Sequence, residues 1–407
     1  MNFLFAWRYF KAKKSTNAIN VIAWVSVAAI IVGSASLVLV LSVFNGFEDL
    51  VKSLYKTFYS DLKVTATEGK SITLSDQQLR QLAGLDGIRA FSRIAEDNAW
   101  MQNGQTPSPI FLKGVDSSYT RVSSIDRKLI RGKFELGTGD HPSAILGYGI
   151  ENALGILYSD RSVIPLSVYL FNKSSLANPT DPMASVSADN IVASGTFAIQ
   201  DEFDYKYVIT NLAFVKRMLG FAPDEYSALE IALVDSSQAE TVKANVKRLL
   251  GGDYHVQTRY EQNQGLYGVM RTEKWVIYIV LSLILVVAAF NMVGALTMLV
   301  LEKQKDIHVL KALGADNGYI QRIFLSEGLL LAFLGGGIGI GLAVIICWLQ
   351  LKYKLVPLQG GSFLVDYYPV KLVPLDFGMV LGTVLVVALL ASWFPSRKAA
   401  REPIDLR

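Results

Sequence analysis

The chain has 407 residues, of which 51% are hydrophobic and only 18% charged, with a mean hydropathy of +0.34. A soluble protein of this length carries nearer a quarter of its residues as charges, so the composition implies a membrane protein with a soluble part. A net charge of +4 without a long basic run argues against a nucleic-acid partner, the lone Cys347 excludes an internal disulfide, and His141, His255 and His308 lack metal-ligand spacing.

The chain opens on MNFLFAWRYFKAKK, where Phe3, Phe5, Trp7, Tyr9 and Phe10 mix with cations. This fits an amphipathic helix on the inner leaflet and equally a plain basic flank to a membrane span. Residues 15–47 follow without any Asp, Glu, Lys or Arg. About 20 apolar residues suffice to cross the hydrocarbon core, and this run is too long for a signal-peptide core.

Residues 48–274 are enough for one or two domains. DLKVTA alternates as a strand, SDQQLRQLAGL carries a Ser75–Gln78 capping box, and IRAFSRIAEDNAWMQ reads as extended. Asn103-Gly104 then marks a hairpin turn into PIFLKGVD. A similar order returns near the far end: ALEIALV as strand, SQAETVKANVKRLL as amphipathic helix, YHVQTR as strand. Two βαβ-like pieces thus flank a β-rich middle, in which SAILGYGI, SVIPLSVYLF, NIVASGTFAI and YKYVIT are candidate strands. NLAFVKRMLG is a short helix ended by Gly220. Residues 172–190 hold two prolines and many turn formers, and read as a long loop.

Three further charge-free runs, 275–301, 328–351 and 377–396, complete four spans. Lys and Arg concentrate before the first, after the second and after the fourth, which sets both termini in the cytoplasm and residues 48–274 outside. No ionisable residue is expected mid-membrane, which argues against an ion-driven carrier. GGGIGIG (335–341) offers two small-xxx-small pairs, Gly335/Gly339 and Gly337/Gly341, for close helix packing rather than a phosphate loop. Between spans two and three lies EKQKDIHVLKALGA, a short helix with Ile307 and Leu310 at helical spacing. Gly314 is its C-cap, and Asp316-Asn317-Gly318 is a turn. It reads either as a helix docking into a partner's groove or as a solvated connector. The sequence has no Walker A loop and none of the common hydrolase signatures, so the reading is a non-enzymatic membrane subunit without cofactor or metal.

EKQKDIHVLKALGA followed by IQRIFLSEGLLLAFLGGGIG resembles the FtsX/MacB/LolC type of ABC-transporter permease, and SWFPSRKAAREPIDLR is similar to that family's C-terminal pattern. SVFNGFEDLV and VVAAFNMVGALTMLVLEKQKDI resemble the lipoprotein-releasing LolC/LolE branch in particular. The resemblance implies a pair of permease subunits, identical or related, bound to two copies of a separate LolD-like ATPase that supplies ATP and Mg. It further implies a LolA-like periplasmic carrier, lipoprotein cargo and an inner-membrane location. Glu302, Lys303, Asp306, Ile307, Leu310 and Gly314 would form the coupling element, with Ile307 and Leu310 as its apolar contacts. A loop of the outer domain hooks the carrier in LolC-like members, and Pro179, Pro182 and Met183 occupy the corresponding place. An apolar cavity for acyl chains is expected from Val40, Val43, Phe44 and Phe47 of span one with Met270, Trp275, Ile279 and Leu283 of span two.

The expected fold is therefore four transmembrane helices plus an extracytoplasmic α+β domain with a βαβ porter-like part and a β-rich insert. The divisions are 1–47 (N-terminal segment and first span), 48–104 and 221–274 (porter-like), 105–220 (insert), 275–301 (second span) and 302–327 (coupling segment). Beyond them come 328–351 (third span), 352–376 (outer loop), 377–396 (fourth span) and 397–407 (tail). Rival expectations are an FtsX-like transmitter activating a cell-wall hydrolase, a MacB-like efflux permease, and a membrane-anchored sensor without an ATPase. MacB carries its ATPase ahead of its first span, where this chain has about 15 residues.

Overall fold

A computed structural model describes residues 17–156, 165–171, 186–358 and 367–401. Segment 1–14 and residues 402–407 of the tail lie outside them. Helix α1 (Asn17–Phe58) is followed by β1 (Leu62–Ala66), β2 (Ile72–Thr73), α2 (Asp76–Ala83), β3 (Ile88–Asn103), β4 (Thr106–Val115) and β5 (Leu129–Gly132). Next come β6 (Ser143–Gly147), β7 (Leu166–Phe171), β8 (Val186–Phe197), β9 (Tyr207–Asn211), α3 (Leu212–Leu219), β10 (Glu225–Tyr226), β11 (Ala228–Leu233), α4 (Ala239–Leu250) and β12 (Tyr254–Thr258). The chain continues with α5 (Gln264–Glu302), α6 (Gln304–Ala312), α7 (Asn317–Tyr353) and α8 (Pro374–Ala400). It divides into an α+β unit, Val51–Tyr267, and a helical unit comprising residues 17–50, 268–358 and 367–401.

In the α+β unit the strand order β12-β1-β11-β3 is antiparallel at every step. β1 and β3 therefore run parallel with β11 between them, and β11 and β12 run parallel with β1 between them. The two βαβ-like pieces of the sequence interleave as split βαβ units. The crossover helices cover one face. Leu79 and Leu82 of α2, with Val242, Val246 and Leu250 of α4, pack on Leu62, Val64, Leu229, Ile231 and Val256. The capping box closes as the sequence suggests: Ser75 Oγ accepts from Gln78 N–H, and the Gln78 side chain accepts from Ser75 N–H at 3.0 Å.

β3 is 16 residues long and serves two structures. Its first half pairs with β11 and its second half with β7, while β4 pairs back along it from the Asn103-Gly104 turn. Gly104 has φ +56°, which a glycine reaches without strain. The pairings β4–β9, β9–β6, β6–β8, β8–β7 and β7–β3 then close a six-stranded barrel. It is filled by Met101, Leu112, Leu146, Val168, Leu170, Ile191 and Val208.

Two sequence readings are corrected here. SAILGYGI is a strand only to Gly147, whose missing side chain lets the chain pass the Asp204 backbone, and Tyr148–Ala153 is helical. Val186–Asn190, read as loop, belongs to β8 and pairs residue for residue with β7 up to Phe171↔Val186. None of these five residues is buried, so the position does not demand apolar side chains.

An ion pair is sealed inside the sheet. Lys113 Nζ lies 2.7 Å from Glu230 Oε1, both side chains at most 3% exposed. The ammonium sits 4.9 Å from the Phe58 ring and 5.1 Å from that of Tyr119. Burial works against the charged lysine, but Glu230, Tyr119 and Glu96 outweigh it and hold the Lys113 pKa well above the ordinary value.

In the helical unit, four helices are long and apolar enough to cross a membrane. α1 has 42 residues, about 63 Å at 1.5 Å per residue, twice the ~30 Å hydrocarbon core. Close packing comes from absent side chains. A Cβ on Gly335 of α7 would meet Ile30 of α1 at 2.9 Å, and one on Gly339 would collide with Ser34 and the Ile31 carbonyl. Gly336 and Gly328 lie against Val384 and Ser392 of α8 in the same way. Gly337 and Gly341 face open space, so only one of the two expected glycine pairs makes a contact here. Two carboxylates directly border the charge-free runs and are buried: Glu327 within α7 and Asp376 in the first turn of α8.

Candidate functional site

The segment joining α5 to α7 folds as a short helix. α5 runs to Glu302, α6 follows after Lys303, and Gly314 takes φ +94° just past the last turn. Asp316 is not part of a turn but the N-cap of α7, with its carboxylate 3.0 Å from Tyr319 N. Lys303 pairs with Asp306 at 3.5 Å, and Lys311 Nζ donates to the Ala400 carbonyl at 2.9 Å, tying α6 to the end of α8.

The face of α6 is turned from the expected one. Ile307 is only 2% exposed and lies in the core with Met292, Leu299, Ile320 and Phe324, and Leu310 packs against that core. The outward apolar residues are Val309, 60% exposed, and Leu313, 79% exposed. The expectation erred because both faces carry apolar residues at helical spacing, and periodicity alone does not say which continues the stripe begun by Leu299 and Val300.

The eight residues expected to line a cavity fall in two sets. Val40, Val43, Phe44 and Phe47 share one face of α1, half-buried apart from the more exposed Val40; Trp275, Ile279 and Leu283 share an exposed face of α5, with Met270 half-buried nearby. Phe47 is engaged edge-on by Tyr368, ring centroids 5.8 Å apart. An apolar cleft of about 360 Å³ lies farther along α5, between Val286, Ala289, Phe290 and Val293 and the α8 residues Val387, Leu390, Ala391 and Phe394. None of the eight lines it.

A polar centre that the sequence reading missed joins α1, α5 and α8. Asn45 Nδ2 donates to Asp376 Oδ2 at 2.5 Å, Lys274 Nζ donates to Asn45 Oδ1 at 2.8 Å, and Lys274 lies 3.3 Å from Asp376 Oδ1. Asn45 and Asp376 are buried. The neighbouring residues of SVFNGFED serve the same junction. A Cβ on Gly46 would collide with the Pro369 carbonyl. Lys371 N–H donates to the Ser42 carbonyl at 2.9 Å, and its ammonium pairs with Asp49. The sequence carries one signal of it: Lys274 and Asp376 each border a charge-free run directly. A buried carboxylate is retained where fixed partners compensate it.

Pro179, Pro182 and Met183 lie outside the described residues. The flanking strands β7 and β8 pair up to Phe171↔Val186, and Trp100 of β3 with Tyr169 and Phe171 of β7 are exposed.

Family comparison agrees with this arrangement at both ends. A model of the MacB-like periplasmic core domain matches residues 23–165, and one of the FtsX-like permease C-terminal region matches residues 278–404. The chain is 28% identical to the lipoprotein-releasing system transmembrane protein LolE of Haemophilus influenzae over 420 residues, spanning 98% of this chain and 97% of that protein. It is 27% identical to LolC of Xylella fastidiosa, covering 97% and 95% of the two. Among solved structures, the periplasmic region of MacB from Actinobacillus actinomycetemcomitans superposes with a TM-score of 0.36 at 13% identity, over 54% of this chain and 98% of that one. With four apolar helices, a region matching the MacB-like periplasmic core domain, another matching the FtsX-like permease C-terminal region, and relatives matched nearly end to end, the chain is similar throughout to the LolC/LolE type of FtsX/MacB-like ABC-transporter permease.

Proposed function

We propose that this protein is the permease subunit of a transporter that draws lipoproteins from the outer leaflet of the bacterial inner membrane and passes them to a periplasmic carrier. The observation that carries this reading is the nearly full-length similarity to LolE and LolC, which extends through both the α+β unit and the helices. The physical problem is one of anchoring. Each buried methylene contributes about 0.8 kcal/mol, so several acyl chains hold too firmly for spontaneous release. ATP hydrolysis by a separate ATPase supplies the work, and a second permease subunit completes the pair.

In this scheme α6 receives the push. Val309 and Leu313 insert into the ATPase groove, while Ile307 and Leu310 lock α6 to the membrane core so that the helix moves with α5 and α7. The half-buried face of α1 and the exposed face of α5, with Trp275, Ile279 and Leu283, take the acyl chains, and the segment that joins β7 to β8 meets the carrier. The Asn45–Lys274–Asp376 centre holds α1, α5 and α8 together while the rest shifts.

The test is purification of the complex from cells, with partners identified by mass and bound lipoprotein assayed. An ATPase, a carrier and lipoprotein are expected, whereas a cell-wall hydrolase or a tunnel protein in their place rejects the reading. Val309→Asp with Leu313→Asp should abolish ATPase co-purification, while leaving the membrane level of the chain unchanged. Ile279→Asp, on an exposed face, should leave lipoproteins in the inner membrane on fractionation; normal delivery would reject this face as the acyl-chain site.

A further inference from the structure

The α+β unit contains a concavity to which the scheme above assigns no role. A cleft of about 510 Å³ opens between α2, the first half of β3 and the helical turn Tyr119–Val122. Its walls carry Arg80, Arg89, Arg93 and Arg121, together with Asp76 and Asp116, over a floor that includes Leu79, Ile88 and Phe91. Four guanidinium groups against two carboxylates leave the cleft with two positive charges in excess.

Only one arginine is neutralised. Arg93 Nε lies 3.0 Å from Asp116 Oδ2, which also accepts from the Arg93 backbone N–H at 3.2 Å. Arg89 donates to the Arg121 carbonyl at 3.1 Å and Arg121 to Ser118 Oγ at 2.9 Å, both neutral acceptors. Among the described residues, Arg80, Arg89 and Arg121 form no ion pair. These two hydrogen bonds hold two guanidinium planes in place without cancelling their charge. Like charges gathered in one concavity repel, and an anion relieves that repulsion. The guanidinium fork matches phosphate and carboxylate oxygens, and an excess of two charges suits a doubly charged phosphoryl group better than a single carboxylate. The apolar floor accommodates a carbon skeleton attached to it.

We propose that this cleft is a binding site for a phosphorylated anion, its phosphoryl group held by Arg80, Arg89 and Arg121, with Arg93 fixed by Asp116 as the back wall. The site is independent of the cargo assigned above. Two sources share the chemistry, a soluble phosphomonoester and a phosphate-bearing lipid headgroup. The test uses the full chain in phosphatidylcholine nanodiscs, titrated with glycerol 3-phosphate by calorimetry, and in parallel nanodiscs containing phosphatidic acid, read by retained lipid after exchange.

Saturable binding of either probe supports the site, and the arm that responds identifies the source. Arg89→Gln with Arg121→Gln, both at exposed positions, should weaken binding about tenfold or more, as expected for lost charge-assisted hydrogen bonds. Asp76→Asn, which removes a negative wall group, should tighten it, an effect that general destabilisation would not produce. No saturable binding in either arm, binding indifferent to the double arginine change, or capture of a poly-glutamate peptide in preference to both probes would overturn the proposal.

Discussion

The helical unit and the α+β unit obey the same rule about charge in opposite surroundings. The α+β unit places Lys113 and Glu230 in the middle of a sheet, under the rings of Phe58 and Tyr119. The helical unit gathers Asn45, Lys274 and Asp376 where charge-free runs begin or end. A sheet unit facing water can enclose an ion pair at its centre because strands and aromatic side chains surround it. In a bundle facing lipid such a pair belongs near the ends of the spans, where the ammonium stays partly accessible, here at 28%. Apolar groups invert as well. The α+β unit hides its large aliphatic residues in a barrel and under two helices, whereas Trp275, Ile279, Phe290 and Phe394 lie on the outside of the helical unit, and its tight contacts are made by glycines.

This contrast can be broken experimentally. The largest effect is expected from Lys113→Ala, which leaves Glu230 buried and uncompensated and should cost about 3–5 kcal/mol. Lys113→Met with Glu230→Leu should recover most of that loss, as read by chemical unfolding of the extracytoplasmic part in the full chain. Equal damage from both variants would mean that the pair fixes the sheet and not merely its own charges. Asp376→Ala should fall near the lower end of the same range, since Lys274 can reach solvent. It should show as a lowered melting temperature in detergent, with Asn45→Ala milder. Gly46→Ala, forced against the Pro369 carbonyl, should cost about 1–3 kcal/mol and sharpen the view that this junction is close-packed.

The smallest effect concerns pH. Burial pushes the Asp204 carboxyl up to about 6, against the pull of backbone N–H groups at Ile199 and Gln200. The folded chain thus binds a proton that the unfolded chain binds only below its ordinary carboxyl value of about 4. Unfolding free energy of the α+β unit should rise as pH is lowered through 6, and this contribution should level off below about 4. Asp204→Asn should flatten that slope.

Much of the architecture was legible in the sequence. The four charge-free runs, the Ser75 capping box, the Asn103-Gly104 hairpin and the β11–α4–β12 order all follow from local rules and appear in the structure. Closure of the barrel was not legible, because it requires β3 to find β7 and β4 to find β9 across long sequence separations that no local pattern encodes. The same limit hid which side of α6 is outward, and which glycine pair of α7 meets α1: residues two apart have identical spacing and differ only by rotation about the helix. Lys274 and Asp376 lie 102 positions apart, and their partnership with Asn45 exists only once three helices are assembled.

Because one 16-residue strand, roughly 50 Å of extended chain, serves as a stave of the barrel wall and as a member of the porter-like sheet, these two portions share a single spar. A tilt of either one must bend that spar or strip its ladder, so a displacement begun at the sheet arrives at the β7–β8 pair with little slack. The two portions are thereby held to a common movement, and a flexible insertion at the midpoint of β3 would uncouple them.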